Sequence, residues 1–445
     1  VLTEEENAAV GRLRRKISHK HRDGERLSAY YEGAQRLVHL GLAVPEELRK
    51  FETVLNIPRM AVDEVERRLD VRSLRLPGES KPSDALMALW DGNDLAETVP
   101  LVVKDALIYG RGFMSVGGNP DRPDMPLIRA EHAPDIAVET DLRTGRIVWA
   151  LREYRDEYDS RRAATLYSPH QIVWLVLDRG RWVEEARAPH SLGRVPVVQF
   201  VNRARTGAKF ADGTSEMADV IALTDAIARQ ITNLQVAAEA NAMPQKYVVG
   251  ASAKDFRDKK GNPMPTWQSY FTSVWGITNK DAKAGTFTAA SLDNFHNSVN
   301  HMFKWAAAVL GLPLRYAAQD TNQPAAEGAI RADESRLIKN CERKQAAFGN
   351  ALGSLMGMAL YVAEGGAVDV DRIATTWYDA GTPTYAQRAD ATQKLAAGVP
   401  ILSREGAWEE MGWSPDRMEI ERRRFAAQEA DPFLDRLSEK IGNVT

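Results

Sequence analysis

The side chains that could perform covalent chemistry in this chain are few and poorly arranged for it. The single cysteine, Cys341, falls inside a helical hydrophobic pattern, where a cysteine packs as a small apolar residue rather than acting as a nucleophile. No Ser/His/Asp arrangement stands out, and there is no HExxH. His296 and His301, five residues apart, lie about 140° from each other around an ideal helix and do not form a chelating pair. Asp369 and Asp371 next to Gly365-Gly366 read as a solvated loop rather than a metal pair. No GxxxxGK[ST] occurs, and Gly110, Gly112 and Gly117 do not complete a GxGxxG, so no phosphate-cradling loop is expected. An enzyme is left without residues, and neither cofactor nor metal is expected.

What remains is the chemistry of weak contact with a polyanion or a protein partner. From Lys246 to Lys283 there are seven Lys or Arg against three Asp. Within this island Lys254, Arg257, Lys259 and Lys260 surround a KKGNP turn, which suits either a solvated turn or a docking surface. Residues 313–325, PLRYAAQDTNQPA, form a polar loop whose only charges are Arg315 and Asp320. Its amides Gln319, Asn322 and Gln323 can offer exchangeable hydrogen bonds to phosphate. Asp293, Asn297, Asn300, His301 and Lys304 share one face of a predicted helix, a mostly neutral stripe rather than dense Glu/Lys pairs.

The whole chain has 58 Lys plus Arg against 61 Asp plus Glu in 445 residues, a net charge of -3. Overall positive charge therefore does not hold it to nucleic acid, and any such contact must be local. One cysteine excludes an internal disulfide and fits a reducing compartment. The N-terminal stretch has a basic run but no apolar h-region, so no signal peptide is expected and the chain is expected to begin in the cytoplasm.

The elements that must position these residues are legible in outline. The first hundred residues read as helices, with Leu48, Phe51, Leu55, Met60, Val62, Val65 and Leu69 at helical spacing, an interruption at Pro58 and a Pro77-Gly78 turn. A further helix carries Leu95 to Tyr109. From Gly112 to about Asn202 short alternating runs, with turn signals at Thr144-Gly145 and Asp178-Arg179-Gly180, predict a mixed or antiparallel sheet domain and argue against a doubly wound nucleotide fold. A helix of about thirty residues is expected from Thr214 or Ser215 to Pro244, then short strands to Gly285. Another helix runs from about Thr288 to Leu310, and a long one from about Ala326 to Glu364. Gln345–Ala363 is uncharged, but its polar residues and charged upstream helix favour a buried helix over a membrane span. Its Gly349, Gly353 and Gly357 form a small-residue ridge that lets another helix approach. Residues 384–445 are helical and charge-rich, with a start signal at Ser414-Pro415. The expected class is α+β, helix-dominated.

The order of several phrases resembles the portal proteins of tailed bacteriophages, in the branch common among phages of actinobacteria. They are YYEG, NIPRMAVDEVERRL, WDGNDL with ALIYGRGFMSV, PDIAVETDLRTGRIVWALREY, LGRVPVVQFVNR and GTSEMADVIALTDAIARQITNLQVAAEANAMPQKYVVG. The resemblance covers nearly the whole chain. It implies a non-enzymatic virion part: a dodecameric ring at one capsid vertex, a channel for genome packaging and DNA ejection, and a dock for the terminase large subunit and head-tail adaptor. Major capsid and scaffolding proteins would be further partners, without membrane, and assembly would take place in the host cytoplasm.

Carried over by position, 1–213 would be wing, 214–243 and 287–312 stem helices, 244–286 the clip and 313–325 the tunnel loop. Residues 326–383 would be the long wing helix and its return, and 384–445 the crown. Lys304, Arg315, Gln319, Asn322 and Gln323 would then meet DNA, Lys254, Arg257, Lys259 and Lys260 would serve docking, and Gly349, Gly353 and Gly357 helix packing or assembly. Asn297, Asn300 and His301 would line the channel or pack between neighbours. Other classes left open are a DNA-processing or nucleotide-dependent packaging enzyme, and another ring-forming head-tail connector.

Overall fold

The computed structural model describes residues 1–35, 53–79, 81–156, 160–207, 212–242, 246–250, 281, 283–286, 291–313, 327–366, 373–381, 385–396 and 400–429. Helix α1 (Glu4–Glu32) starts at a capping box, in which the Thr3 hydroxyl accepts from the Glu6 N–H and the Glu6 carboxylate accepts from the Thr3 N–H. Gly33, at φ +70°, ends it. The buried Leu13 and Ile17 of α1 lie on Ala137, Leu151, Leu166 and Val173, and α1 is thereby fastened to the larger of two sheets.

The region after α1 departs from the all-helical expectation. Pro58 does not interrupt a helix but occupies the first turn of α2 (Ile57–Glu66), where its missing N–H costs no helical bond. Asn56 caps α2 by accepting from the Arg59 N–H. Next comes a strand, β1 (Val71–Arg75), whose partner β12 (Ala374–Trp377) lies 300 residues away in sequence. Neither strand shows an alternation long enough to read locally. Helices α3 (Asp84–Gly92) and α4 (Leu95–Tyr109) follow, and α4 ends at Gly110 as its spacing predicts.

The strand-rich segment forms two sheets, and every pairing in them is antiparallel. Strands β2 (Arg111–Gly117), β3 (Leu127–Glu131) and β9 (Val197–Val201) make a three-stranded sheet in the order β3-β2-β9. Strands β4 (Ile136–Thr140), β5 (Ile147–Arg155), β6 (Arg162–Tyr167), β7 (Gln171–Asp178) and β8 (Arg181–Pro189) form a meander in chain order. The β7–β8 hairpin closes with Arg179 at φ +45° and Gly180 at φ +81°, the two positive φ values that match the twist of the flanking strands. Phe113, Ile136, Ala150 and Val197 pack between the two sheets.

Helix α5 (Ile221–Ala242) begins six or seven residues later than the hydrophobic pattern suggests. The preceding residues are drawn into a tight crossing: the Asn202 N–H donates to the Gly110 carbonyl, the Thr214 N–H to Asn202 and the Glu216 N–H to Leu107. A Cβ on Gly213, whose φ is +76°, would lie 2.2 Å from the Gly110 carbonyl oxygen, so only glycine fits. Strands β10 (Lys246–Val249) and β11 (Lys283–Thr286) pair antiparallel. Helices α6 (Asp293–Leu310) and α7 (Glu327–Glu364) bear out the two later helices. After β12 come α8 (Tyr385–Ala396), α9 (Arg404–Glu410) and α10 (Pro415–Glu429), the last with the Ser414 hydroxyl accepting from the Arg417 N–H.

Helix α7 is the spine of the main core. Its Leu337, Cys341, Phe348, Leu352 and Leu355 are buried with Leu74, Leu107, Met114 and Phe200. The Phe200 and Phe348 rings sit 6.1 Å apart; burying a phenylalanine contributes about 1.5–3 kcal/mol. Ala332–Glu364 is the one helix among the described residues long and apolar enough to cross a membrane, and 56% of its apolar window is buried inside the protein.

Candidate nucleic-acid interface

The neighbours α5 and α6 bury one face of each against the other. Ile227 and Ala306 are buried there, with Leu223, Ile231, Val299, Met302, Phe303 and Leu310 packed around them. Thr224 and Thr232 are fully buried on α5, and their hydroxyls donate to the Val220 and Ala228 carbonyls, each at 2.9 Å. The hydroxyls are thus satisfied within the helix and the α5–α6 seam needs no polar partner from α6.

The opposite face of α6 is exposed and nearly uncharged. Asn297, Asn300, His301 and Lys304 all lie on it, and Asp293 is at its start. One turn past His301 the face turns apolar: Trp305 is 59% and Val309 52% exposed. The sequence pattern assigned neither residue to a face, and the packing of α6 on α5 leaves both outward.

A buried polar knot joins this helical pair to the rest of the chain. Lys344 Nζ on α7 donates to Glu216 Oε2 at 2.8 Å and to Asn202 Oδ1 at 2.5 Å. Asn202 Nδ2 donates to Glu216 Oε2 at 3.1 Å and to the Thr214 carbonyl at 2.9 Å, and Asn340 Nδ2 donates to Glu216 Oε1 at 3.0 Å. Burial pushes the Glu216 carboxyl up, but the Lys344 ammonium and the amide donors outweigh it and hold the group below the ordinary carboxylate range. Three segments, the end of β9, the lead into α5 and the middle of α7, are held by one charge pair. No sequence motif marks it, because Lys344 lies 128 residues from Glu216 and 142 from Asn202.

The remaining expected site residues divide by place. Arg315, Gln319, Asn322 and Gln323, and equally Lys254, Arg257, Lys259 and Lys260, lie outside the described residues, as do Asp369 and Asp371; of the basic island the β10–β11 pair is described. Gly349, Gly353 and Gly357 are buried on α7. The neighbour of the first two is an extended segment rather than the helix expected from their spacing. A Cβ on Gly353 would lie 2.3 Å from the Ile373 carbonyl oxygen, and one on Gly349 3.1 Å from Trp377 Nε1. The ridge admits β12 and the residue before it, which the backbone can approach more closely than a second helix could. Cys341 is fully buried, and burial pushes its thiol up to about 11. Among the described residues no group of three or more His, Cys, Asp or Glu could hold a metal ion.

This is a helix-rich α+β scaffold whose exposed helical face is polar and almost free of charge. The phage portal protein family described as SPP1 Gp6-like matches residues 12–432. The portal proteins of Mycobacterium phages D29 and L5 are each 35% identical over 415 residues, covering 91% of this chain and 85% of theirs. Among solved structures, the neck of a native GTA particle computed with C12 symmetry is 12% identical, with TM-score 0.49, over 84% of this chain and 95% of that one. The chain belongs to the phage portal protein family.

Proposed function

We propose that twelve copies form a ring at one capsid vertex, through which double-stranded DNA is packaged and later ejected. Membership of the portal family over residues 12–432 carries this reading. The charge distribution supports it: a conduit must not hold its cargo, since each phosphate neutralised by Lys or Arg adds salt-sensitive affinity and hence friction. Twelve chains of net charge -3 total about -36, and sparse cations steer a duplex without trapping it.

In this proposal 1–213 and 326–383 form the wing, 214–243 and 287–312 the stem, 244–286 the clip, 313–325 the tunnel loop and 384–445 the crown. Lys304 on the exposed face of α6, with Arg315, Gln319, Asn322 and Gln323, meets DNA. Lys254, Arg257, Lys259 and Lys260 receive the terminase large subunit and then the head-tail adaptor, while major capsid and scaffolding proteins surround the wing. Gly357 completes the packing ridge with Gly349 and Gly353. Assembly takes place in the host cytoplasm, and the ring acts without enzymatic chemistry of its own.

Light scattering with negative-stain imaging of the same fraction tests the ring. Twelve times 49.4 kDa is about 590 kDa, and a particle of that mass with an axial hole is the expected result. A compact dimer that hydrolyses nucleotide would overturn the proposal in favour of a packaging enzyme.

A further inference from the structure

The two sheets of the strand-rich region expose four lateral edges, and three of them are blocked. The β4 edge is covered by α1, whose Lys16 Nζ donates to the Val138 carbonyl at 2.9 Å. On β3 the Ile128 N–H is taken by Asn93 Oδ1 at 2.9 Å. Strand β8 carries Arg181, Glu184, Glu185 and Arg187, charges that discourage a further strand. The fourth edge, β9, reads Val-Val-Gln-Phe-Val, with no charge and no proline.

The register identifies which backbone groups of β9 point away from its partner. The Val116 N–H donates to the Pro196 carbonyl and the Asn202 N–H to the Gly110 carbonyl. With Met114 opposite Val198 and Gly112 opposite Phe200, even-numbered residues of β9 bond to β2. Val197, Gln199 and Val201 therefore direct N–H and C=O outward. No hydrogen bond from these groups to another described residue is present.

This edge opens on a groove of about 650 Å³. One wall is the small-residue face of α7 with Ala347, Ala351 and Ser354, and the other is the β4–β5 turn with the exposed Arg146. Arg194 also lines the groove. The one carboxylate there, Asp141, is turned into its own loop, accepting from the Arg143 N–H at 3.0 Å and the Thr144 hydroxyl at 2.8 Å. The groove thus combines a strand edge unbonded among the described residues, a lining of small and apolar side chains and an exposed cation, Arg146.

We propose that the β9 edge is a strand-addition site for an extended segment of a different protein, one that alternates apolar residues with a carboxylate. Main-chain bonds to the half-buried Gln199 and Val201 supply affinity, the small side chains of α7 admit the apolar residues, and Arg146 selects the carboxylate. Among the described residues a second copy of this chain offers no unpaired acidic strand as donor. The exposed acidic strand it offers among the described residues is β8, already paired with β7, with Glu184 bound to Arg187 and Glu185 to Arg161.

The inference rests on portal family membership, and its test separates it from ring formation. Amide exchange is read residue by residue in the purified full-length chain and in assembled virions, with native mass recorded for the purified sample. The expected result is fast exchange at Gln199 and Val201 in the purified chain at ring mass, about 590 kDa, and at least tenfold slowing in virions; fast exchange in a monomer with slow exchange already at ring mass assigns the edge to neighbouring copies and overturns the proposal. Gln199→Pro, which removes one outward donor and no bond to β2, is expected to keep native mass and melting but to enter virions at least tenfold less than Gln199→Thr, which keeps the N–H. Equal exchange in both samples overturns the proposal, as does protection already present in the purified chain, which would mean that the chain or its copies cover the edge. Normal entry of Gln199→Pro into virions overturns it too.

Discussion

Replacing Lys344 with methionine keeps most of the side-chain volume and removes the cation that faces Glu216 at 2.8 Å. Both partners are more than nine-tenths buried in the fold. Breaking such a pair from one side leaves an uncompensated buried charge and costs about 3–5 kcal/mol. The double variant Lys344→Met with Glu216→Gln removes both charges and keeps one of the two acceptor oxygens that Asn202 and Asn340 use, so it should fall within about 1–2 kcal/mol of the parent. The double variant is therefore about 2–3 kcal/mol more stable than Lys344→Met alone, and the Glu216→Gln single variant completes the cycle that gives the coupling.

Urea unfolding followed by tryptophan fluorescence measures all four members of the cycle. The sign of the pH effect follows from the carboxyl. With Lys344 present, the folded Glu216 titrates below the ordinary glutamate value of 4.5, so its contribution is complete above that pH and is lost as the pH falls through the folded value. Without Lys344, burial dominates and raises the folded value, so acidification from neutral pH relieves the variant. The gap between Lys344→Met and the parent should therefore narrow as the pH approaches 4.5. A deficit below 1 kcal/mol at pH 7.5, or one that does not change with pH, would refute the assignment of a buried charge pair.

Three further outcomes are expected. Gly353→Ala should destabilise the chain by about 1–3 kcal/mol, because its Cβ would meet the Ile373 carbonyl oxygen at 2.3 Å; Gly353→Leu should prevent folding or ring assembly, and a parental melting curve for either would dismiss the close contact. The native Cys341 thiol, buried and raised to about 11, should resist a thiol reagent at pH 8 and react only after denaturation; labelling within minutes would show that the α7 core opens readily. Lys304→Ala, on the exposed face of α6, should change stability by less than about 0.5 kcal/mol while reducing the salt dependence of duplex binding by the assembled ring. An unchanged salt slope would remove Lys304 from the DNA path.

Local patterns settled a great deal of this protein. Helical periodicity placed α4, α6 and α7, whose ends at Gly110, Gly311 and Glu364 follow capping glycines or a change of composition. Alternation and the Asp178-Arg179-Gly180 turn placed the hairpins, since a two-residue connection can only join antiparallel neighbours. The ordered phrases from Tyr30 to Gly250 placed the family, which the profile and the two mycobacteriophage relatives bear out. Each of these signals is carried by residues adjacent along the chain.

What the tertiary structure decided is of another kind. The β1–β12 pair brings together residues 71 and 377, four or five residues a side, too short to announce themselves. The start of α5 moved to Ile221 because Asn202, Gly110 and Leu107 claim the backbone before it. The glycine ridge received a strand, the Glu216–Lys344 knot closed over 128 residues, and Trp305 turned outward. All of these depend on which distant segment fills a space or satisfies a polar group. A sequence specifies that only through the packing of the whole chain, because a residue's own type and neighbours do not say what it will face.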